Sequence, residues 1–200
     1  MKKILLAGLL FTAVQSYAQS TFETLAIGST IPMGDVNMKS TDGKQVSLNN
    51  AKTDNGLIVM FSCNTCPYVI KSQPRTKEVM EYAKAHEIGM VIINSNEAQR
   101  GEADSYEAMV KYAKKQGYTV PYVVDEKSKL ADAFGASHTP EVFLFDANGK
   151  LIYKGAMEDN PGSPADSKEM YLKKAMDNML AELPVDPNTT KSIGCSIKRS

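Results

Sequence analysis

Two cysteines three residues apart, Cys63 and Cys66, stand directly after the apolar run Gly56-Leu57-Ile58-Val59-Met60-Phe61 and before a stretch with helical spacing. At a strand-to-helix turn, unpaired backbone N–H groups and the helix dipole stabilise a thiolate, lowering a cysteine below its free pKa of about 8.5. Cys63 precedes the helix and is expected to be the exposed, attacking sulfur. Cys66, inside the first turn, is placed to attack a mixed disulfide formed at Cys63. That sequence of steps is thiol–disulfide exchange. A structural bridge and half of a zinc site are the alternatives. Zinc usually takes four ligands, and Cys195, His86 and His138 are the other Cys and His residues of the chain.

A second group is His138-Thr139-Pro140, directly ahead of the apolar segment Glu141-Val142-Phe143-Leu144-Phe145. A proline before a strand cannot donate to the ladder and often marks a tight turn, cis or trans. His138 is a candidate for tuning the Cys63 thiolate, with a plain surface histidine as the alternative. Asn94, Asn96 and Glu97 follow the apolar segment Ile88 to Ile93, at the strand end where open α/β sheets place their sites. They read equally well as turn and cap residues, with Glu97 a candidate proton relay. Cys195 lies near Lys198 and Arg199, whose charge favours a thiolate. If Cys63 pairs with Cys66, Cys195 is left over, as an intermolecular partner or a docked, inert thiol.

These residues need elements to hold them. The 200 residues carry 23 basic and 23 acidic side chains and 42% hydrophobic residues, an ordinary globular balance that excludes a solvated disordered polymer. A net charge of zero gives no cationic face for nucleic acid. Three cysteines are too few for a disulfide-stapled scaffold. Asp42-Gly43 predicts a hairpin within residues 28–47, and Ala147-Asn148-Gly149 predicts a second one joining Glu141–Phe145 to Lys150–Tyr153. Buried strands are expected over residues 56–61 and 88–93, and a short one at Tyr122-Val123-Val124. Helices are expected from the cysteine pair to His86 with a bend at Pro74, over 103–116, over 128–134, and over 167–183 from a Ser167 cap. The 11 methionines fall mostly at core-like or helical positions and read as packing. The sum is an α/β domain with one sheet over residues 19–185, followed by a tail over 186–200.

The first eighteen residues read as an address. Lys2 and Lys3 precede an apolar run from Ile4 to Val14, and Ser16 and Ala18 suit cleavage before Gln19. An uncleaved anchor is the alternative, but eleven residues rise only about 16 Å as helix against a hydrocarbon core of roughly 30 Å. The expected location is a bacterial periplasm or the exterior, without a membrane attachment after cleavage, where disulfides persist.

Cys63-Asn64-Thr65-Cys66 on a strand-to-helix turn, with Thr139-Pro140 before a hairpin, resembles the thioredoxin-like superfamily. The strand and helix spanning Pro121 to Gly135 resemble the insertion of its redoxin branch, which holds peroxiredoxin-like proteins of the AhpC-TSA type and periplasmic TlpA-type oxidoreductases. The phrases Cys63–Val69, Asn94–Asn96 and Ser192–Lys198 are similar to a peroxiredoxin-like group. The resemblance implies a central mixed sheet with an N-terminal hairpin, a cis Pro140 beside the cysteines, and a Thr139 backbone that bonds an incoming peptide as an added strand.

Two features depart from the family pattern. Ser62 replaces the usual Trp before the first cysteine. Met60 and Cys63 stand where peroxiredoxins place a Thr three residues ahead of the reactive cysteine, so neither cysteine gains that hydroxyl. The expected function is an exported thiol–disulfide oxidoreductase acting on protein thiols and disulfides with a separate redox partner. It would use a redox-active Cys63–Cys66 disulfide, no other cofactor and no metal. The alternatives are a thiol peroxidase with antioxidant activity, in which Cys66 or Cys195 resolves Cys63, and a copper or haem-assembly module using Cys63, Cys66 and His138.

Overall fold

Alternation along the strands decides which side chains meet which layer. The computed structural model describes residues 23–200, so the leader expected over residues 1–18 lies outside the described residues. After the short hairpin β1 (Met38–Lys39) and β2 (Gln45–Val46) comes α1 (Leu48–Ala51), capped by the Ser47 side chain. β3 (Leu57–Ser62) leads to α2 (Pro67–Lys71) and α3 (Gln73–Ala85), then β4 (Gly89–Asn94). α4 (Tyr106–Gln116) is capped by Ser105 and stopped at left-handed Gly117. β5 (Tyr122–Val124) and α5 (Lys129–Phe134) precede β6 (His138–Thr139), β7 (Glu141–Phe145) and β8 (Leu151–Gly155). α6 (Tyr171–Leu180) and β9 (Cys195–Ser196) complete the order.

The main sheet runs β5-β4-β3-β7-β8, with β3, β4 and β5 parallel and β7 and β8 antiparallel. Every residue of β3, β4 and β7 is buried, which explains why these segments read as continuous apolar runs. Successive side chains point to opposite faces. Ile58, Met60, Met90, Ile92, Val142 and Leu144 meet α3, α4 and α6 on one side. Leu57, Val59, Phe61, Val91, Ile93, Phe143 and Phe145 meet α1 and α5 on the other, where Phe61, Phe134 and Phe143 pack edge to face. Each such side chain contributes roughly 1.5–3 kcal/mol on burial, so the sheet is a stiff platform for what its strand ends carry.

At two helices the difference from the expected bounds has a visible cause. The helix after the cysteines breaks at Ser72, and Pro74 lies at the start of α3, where a missing N–H leaves nothing unpaired. The last helix begins at Tyr171 rather than after a Ser167 cap. Asp159 is the reason: its carboxylate accepts from the N–H groups of Lys168 and Glu169, and its own N–H donates to the Glu169 carbonyl.

The chain after α6 is not a loose tail. The N–H of Thr190 donates to the Lys154 carbonyl at 3.0 Å, and the N–H of Ala156 donates to the Thr190 hydroxyl at 3.0 Å. From there the chain runs to β9, which pairs antiparallel with β6 in the register His138↔Ser196 and Thr139↔Cys195.

Candidate functional site

Strand β3 ends at Ser62, and the next four residues fold into a loop that delivers both cysteines against Thr139. The Cys63 sulfur is hydrogen bonded to the Thr139 hydroxyl, 3.4 Å away. The Cys66 sulfur lies 3.2 Å from the Thr139 carbonyl oxygen. The Thr139–Pro140 peptide is cis, as the resemblance implied, and Thr139 is fully buried. β6 therefore presents one residue to two sulfurs, because Pro140 turns the chain directly into the core strand β7.

The sulfurs differ from the expectation in pairing and in exposure. Cys66 is bonded to Cys195, with Cα atoms 6.0 Å apart, and Cys63 is a free, buried thiol. The expected Cys63–Cys66 bridge is thus absent from this state, because β9 carries Cys195 to Cys66 along β6. Cys63 is 2% exposed and is not the accessible sulfur expected from its position before the helix. The helix starts at Pro67, so the N-cap residue is Cys66, and Cys63 sits deeper, at the end of a fully buried strand.

Burial pushes the Cys63 thiol above its ordinary value. The Thr139 hydroxyl and the N–H groups of Cys66 and Thr65 act in the opposite direction, while the Asp104 carboxylate reinforces the rise. The amides anticipated at this turn do face the sulfur, but desolvation outweighs them.

Asp104 is the hub of the surrounding network and fully buried. One carboxylate oxygen accepts from the Asn64 backbone N–H at 2.9 Å and the Asn94 side chain at 2.7 Å; the other accepts from the Asn96 side chain at 2.9 Å. Tyr122 donates to the Asn64 side-chain oxygen at 2.9 Å, and Asn94 donates to Tyr122 at 2.9 Å. The loop between the cysteines is thereby fastened to residues of β4 and β5. Asn94 and Asn96 come to the site through this acid, and Asn96 also accepts from the Lys198 N–H of the tail at 2.9 Å.

Glu97 does not join them. Its carboxylate accepts from the Lys127 N–H at 3.1 Å and lies 3.6 Å from Arg100. The His138 ring meets Ser137 and Ser192 at 2.7 and 3.4 Å rather than a sulfur, and its backbone holds β9. Among the described residues no group of three or more His, Cys, Asp or Glu gathers as a metal centre would. Nor is any helix among them long and apolar enough to cross a membrane.

Chemically, three sulfurs share one small site: one buried thiol and one disulfide whose inner sulfur, Cys66, lies against the same threonine as that thiol. Attack of a Cys63 thiolate on the Cys66 sulfur would form Cys63–Cys66 and release Cys195 as thiolate.

Comparison with known proteins supplies the family and similar folds. The redoxin family profile matches residues 26–171. A curated thiol-disulfide oxidoreductase ResA from Geobacillus thermodenitrificans (strain NG80-2) is 25% identical over 156 residues, 77% of this chain and 83% of that protein. Among solved structures, an uncharacterized conserved protein from Geobacillus kaustophilus superposes with a TM-score of 0.80 at 32% identity, covering 88% of this chain and 93% of its own. A hypothetical protein from Sinorhizobium meliloti 1021 gives 0.79 at 29%, covering 89% and 97%.

Proposed function

Because this chain belongs to the redoxin family, we propose that it is an exported thiol–disulfide oxidoreductase whose Cys66 forms the mixed disulfide with a partner protein and whose Cys63 resolves it. One observation carries the reading. The sulfur bonded to an extended, strand-paired segment beside cis Pro140 is Cys66, while Cys63 is a free, buried thiol next to it. These roles are the reverse of those expected from position alone. A buried thiol held above its usual pKa offers little thiolate to a partner in solution, yet needs only to reach its neighbour.

In the reducing direction, the Cys66 thiolate attacks one sulfur of a partner disulfide and expels the other as thiolate. Cys63 then loses its proton and attacks the Cys66 sulfur, forming Cys63–Cys66 and releasing the partner's second thiolate. Two electrons pass to the partner; the reverse steps oxidise a partner dithiol. Export rests on the basic, apolar and small-residue order of residues 1–18. The name of the ResA relative supports the activity class.

The test is trapping. Cys66→Ser should abolish reduction of a protein disulfide, while Cys63→Ser combined with Cys195→Ser, which also removes the neighbouring thiol bonded to Cys66, should accumulate mixed disulfides to Cys66. Mixed disulfides carried by Cys63 in the Cys66→Ser protein would reverse the assignment. The Cys66–Cys195 bond favours one second reading, a thiol peroxidase. Peroxide would oxidise Cys66 to a sulfenic acid, and Cys195 would condense with it to the disulfide with loss of water. Peroxide-dependent consumption of a dithiol, lost in Cys66→Ser, separates the two activities.

A further inference from the structure

We propose that the C-terminal segment is a resident pseudosubstrate. The partner proteins accepted by this site would then present their cysteine in an extended segment with the same pattern: glycine just before the cysteine, a branched aliphatic residue two after it, and a cation four after it. This deepens the reading of Cys66 as the interchange sulfur and rests on it.

The groove is built to hold an extended chain by its backbone. Besides the pairing of β9 with β6, the Ile197 N–H donates to the Ser137 carbonyl at 3.0 Å, and the Ala98 N–H donates to the Lys198 carbonyl at 2.9 Å. Contacts of this kind accept many sequences. Three positions do not.

Gly194 passes so close to β6 that a Cβ there would collide with the carbonyl oxygen and carbon of Thr139. Those are backbone atoms fixed by the turn into Pro140, not a side chain that can swing aside. Any occupant in this register therefore needs glycine before its cysteine. Ile197 is buried in the aromatic and aliphatic cluster that contains Leu130, Ala131, Phe134 and Ala136. A polar residue there would lose its water without gaining a partner. Arg199 donates to the Asp132 carboxylate at 2.7 Å and to the Ala136 carbonyl at 2.6 Å, so the far end of the groove selects positive charge.

While this segment is seated, Cys66 is 4% exposed and Cys63 2%. A partner reaches Cys66 only when the resident strand has left the place that the partner's own strand takes.

The experiment uses full-length protein carrying Cys195→Ser and Ile197→Asp, which frees the groove. The probe is a ten-residue peptide with the sequence of residues 191–200, its cysteine activated as a coloured aryl disulfide. Cys66 attacks the peptide sulfur, the peptide–aryl S–S bond breaks, and the aryl thiolate released is read by absorbance. Peptides carrying Gly194→Ala or Ile197→Asp, in the same numbering, should react about tenfold more slowly or worse. Arg199→Glu should react several-fold more slowly, with the gap closing as salt screens the charge. Equal rates for all four peptides would overturn the proposal.

The free aryl disulfide is the control. If it reacts with Cys66 while the peptides are not distinguished, the pattern is wrong and the oxidoreductase reading stands. If no disulfide reacts with Cys66, that reading fails first. Should the double variant not fold, as judged by its cooperative thermal transition, the same four peptides are compared on full-length Cys195→Ser.

Discussion

Replacing Thr139 with valine isolates the contact that most directly sets the reactivity of the buried thiol. The substitution keeps the branched shape and removes the hydroxyl that lies 3.4 Å from the Cys63 sulfur. That hydroxyl lowers the Cys63 pKa against the opposing effect of burial. A hydrogen bond to a charged acceptor contributes about 1.5–3 kcal/mol, and one pKa unit corresponds to about 1.4 kcal/mol. The expected rise is therefore about one to two units. The 3.4 Å separation, and a competing Cys195 carbonyl 3.5 Å from the same hydroxyl, put it at the lower end.

The measurement is a titration of thiolate absorbance in a Cys66→Ser, Cys195→Ser background, where Cys63 is the remaining sulfhydryl. At a fixed pH below both midpoints, the thiolate fraction should fall about tenfold. Reaction with a small disulfide should slow only about threefold, because a more basic thiolate is also a better nucleophile. An unchanged or lower midpoint in the valine protein would refute the assignment of the hydroxyl as the stabilising donor.

Two further outcomes follow from the same geometry. In that single-cysteine background, Asp104→Asn should move the Cys63 midpoint in the opposite direction, downward, since the carboxylate helps hold it up. The amide would also turn one N–H toward a donor, costing about 1–3 kcal/mol in urea unfolding; a raised midpoint would contradict the electrostatic account. Alkali should weaken the fold. Cys63 is held above its ordinary value, and Tyr118 is pushed up to about 12, mainly by burial. Each keeps its proton in the folded state after the unfolded chain has lost it, so their contribution is complete below the free cysteine value of about 8.5 and declines as pH rises, for Tyr118 through about 12. The slope is about 1.4 kcal/mol per pH unit for each group. Urea midpoints measured from pH 8 to 11 should decline, and less steeply in Tyr118→Phe; parallel curves for the two proteins would count against it.

Much of the scaffold was legible because its signals are local. The apolar runs became the buried strands β3, β4 and β7, and Ala147-Asn148-Gly149 turned the hairpin between β7 and β8. Thr139-Pro140 announced its turn and the cysteine spacing its loop. The rest depends on distance. Asp104 sits in a polar run, Gly101-Glu102-Ala103-Asp104-Ser105, that reads as surface, and the packing of α4 on the sheet turns it inward. The Cys66–Cys195 bond joins residues 129 positions apart, and no spacing rule reports such a register. Cys63 is buried rather than exposed because it directly follows a fully buried strand, and the helix starts one residue after Cys66 instead of holding Cys66 in its first turn.

The fastening of Thr190 to β8 fixes the length of a leash. Only residues 191–194 separate that anchor from Cys195, so a released Cys195 thiol can travel about 17 Å at full extension. Confinement to so small a volume gives a local concentration on the order of ten millimolar or more. A dilute disulfide thus competes, for the place beside Cys66 and not for the bond, with a strand that is always present and reseats first. The protein should be sluggish toward scattered small molecules and responsive to partners that bind well enough to hold the seat. Lengthening the leash, with no change at any sulfur, should relax that discrimination.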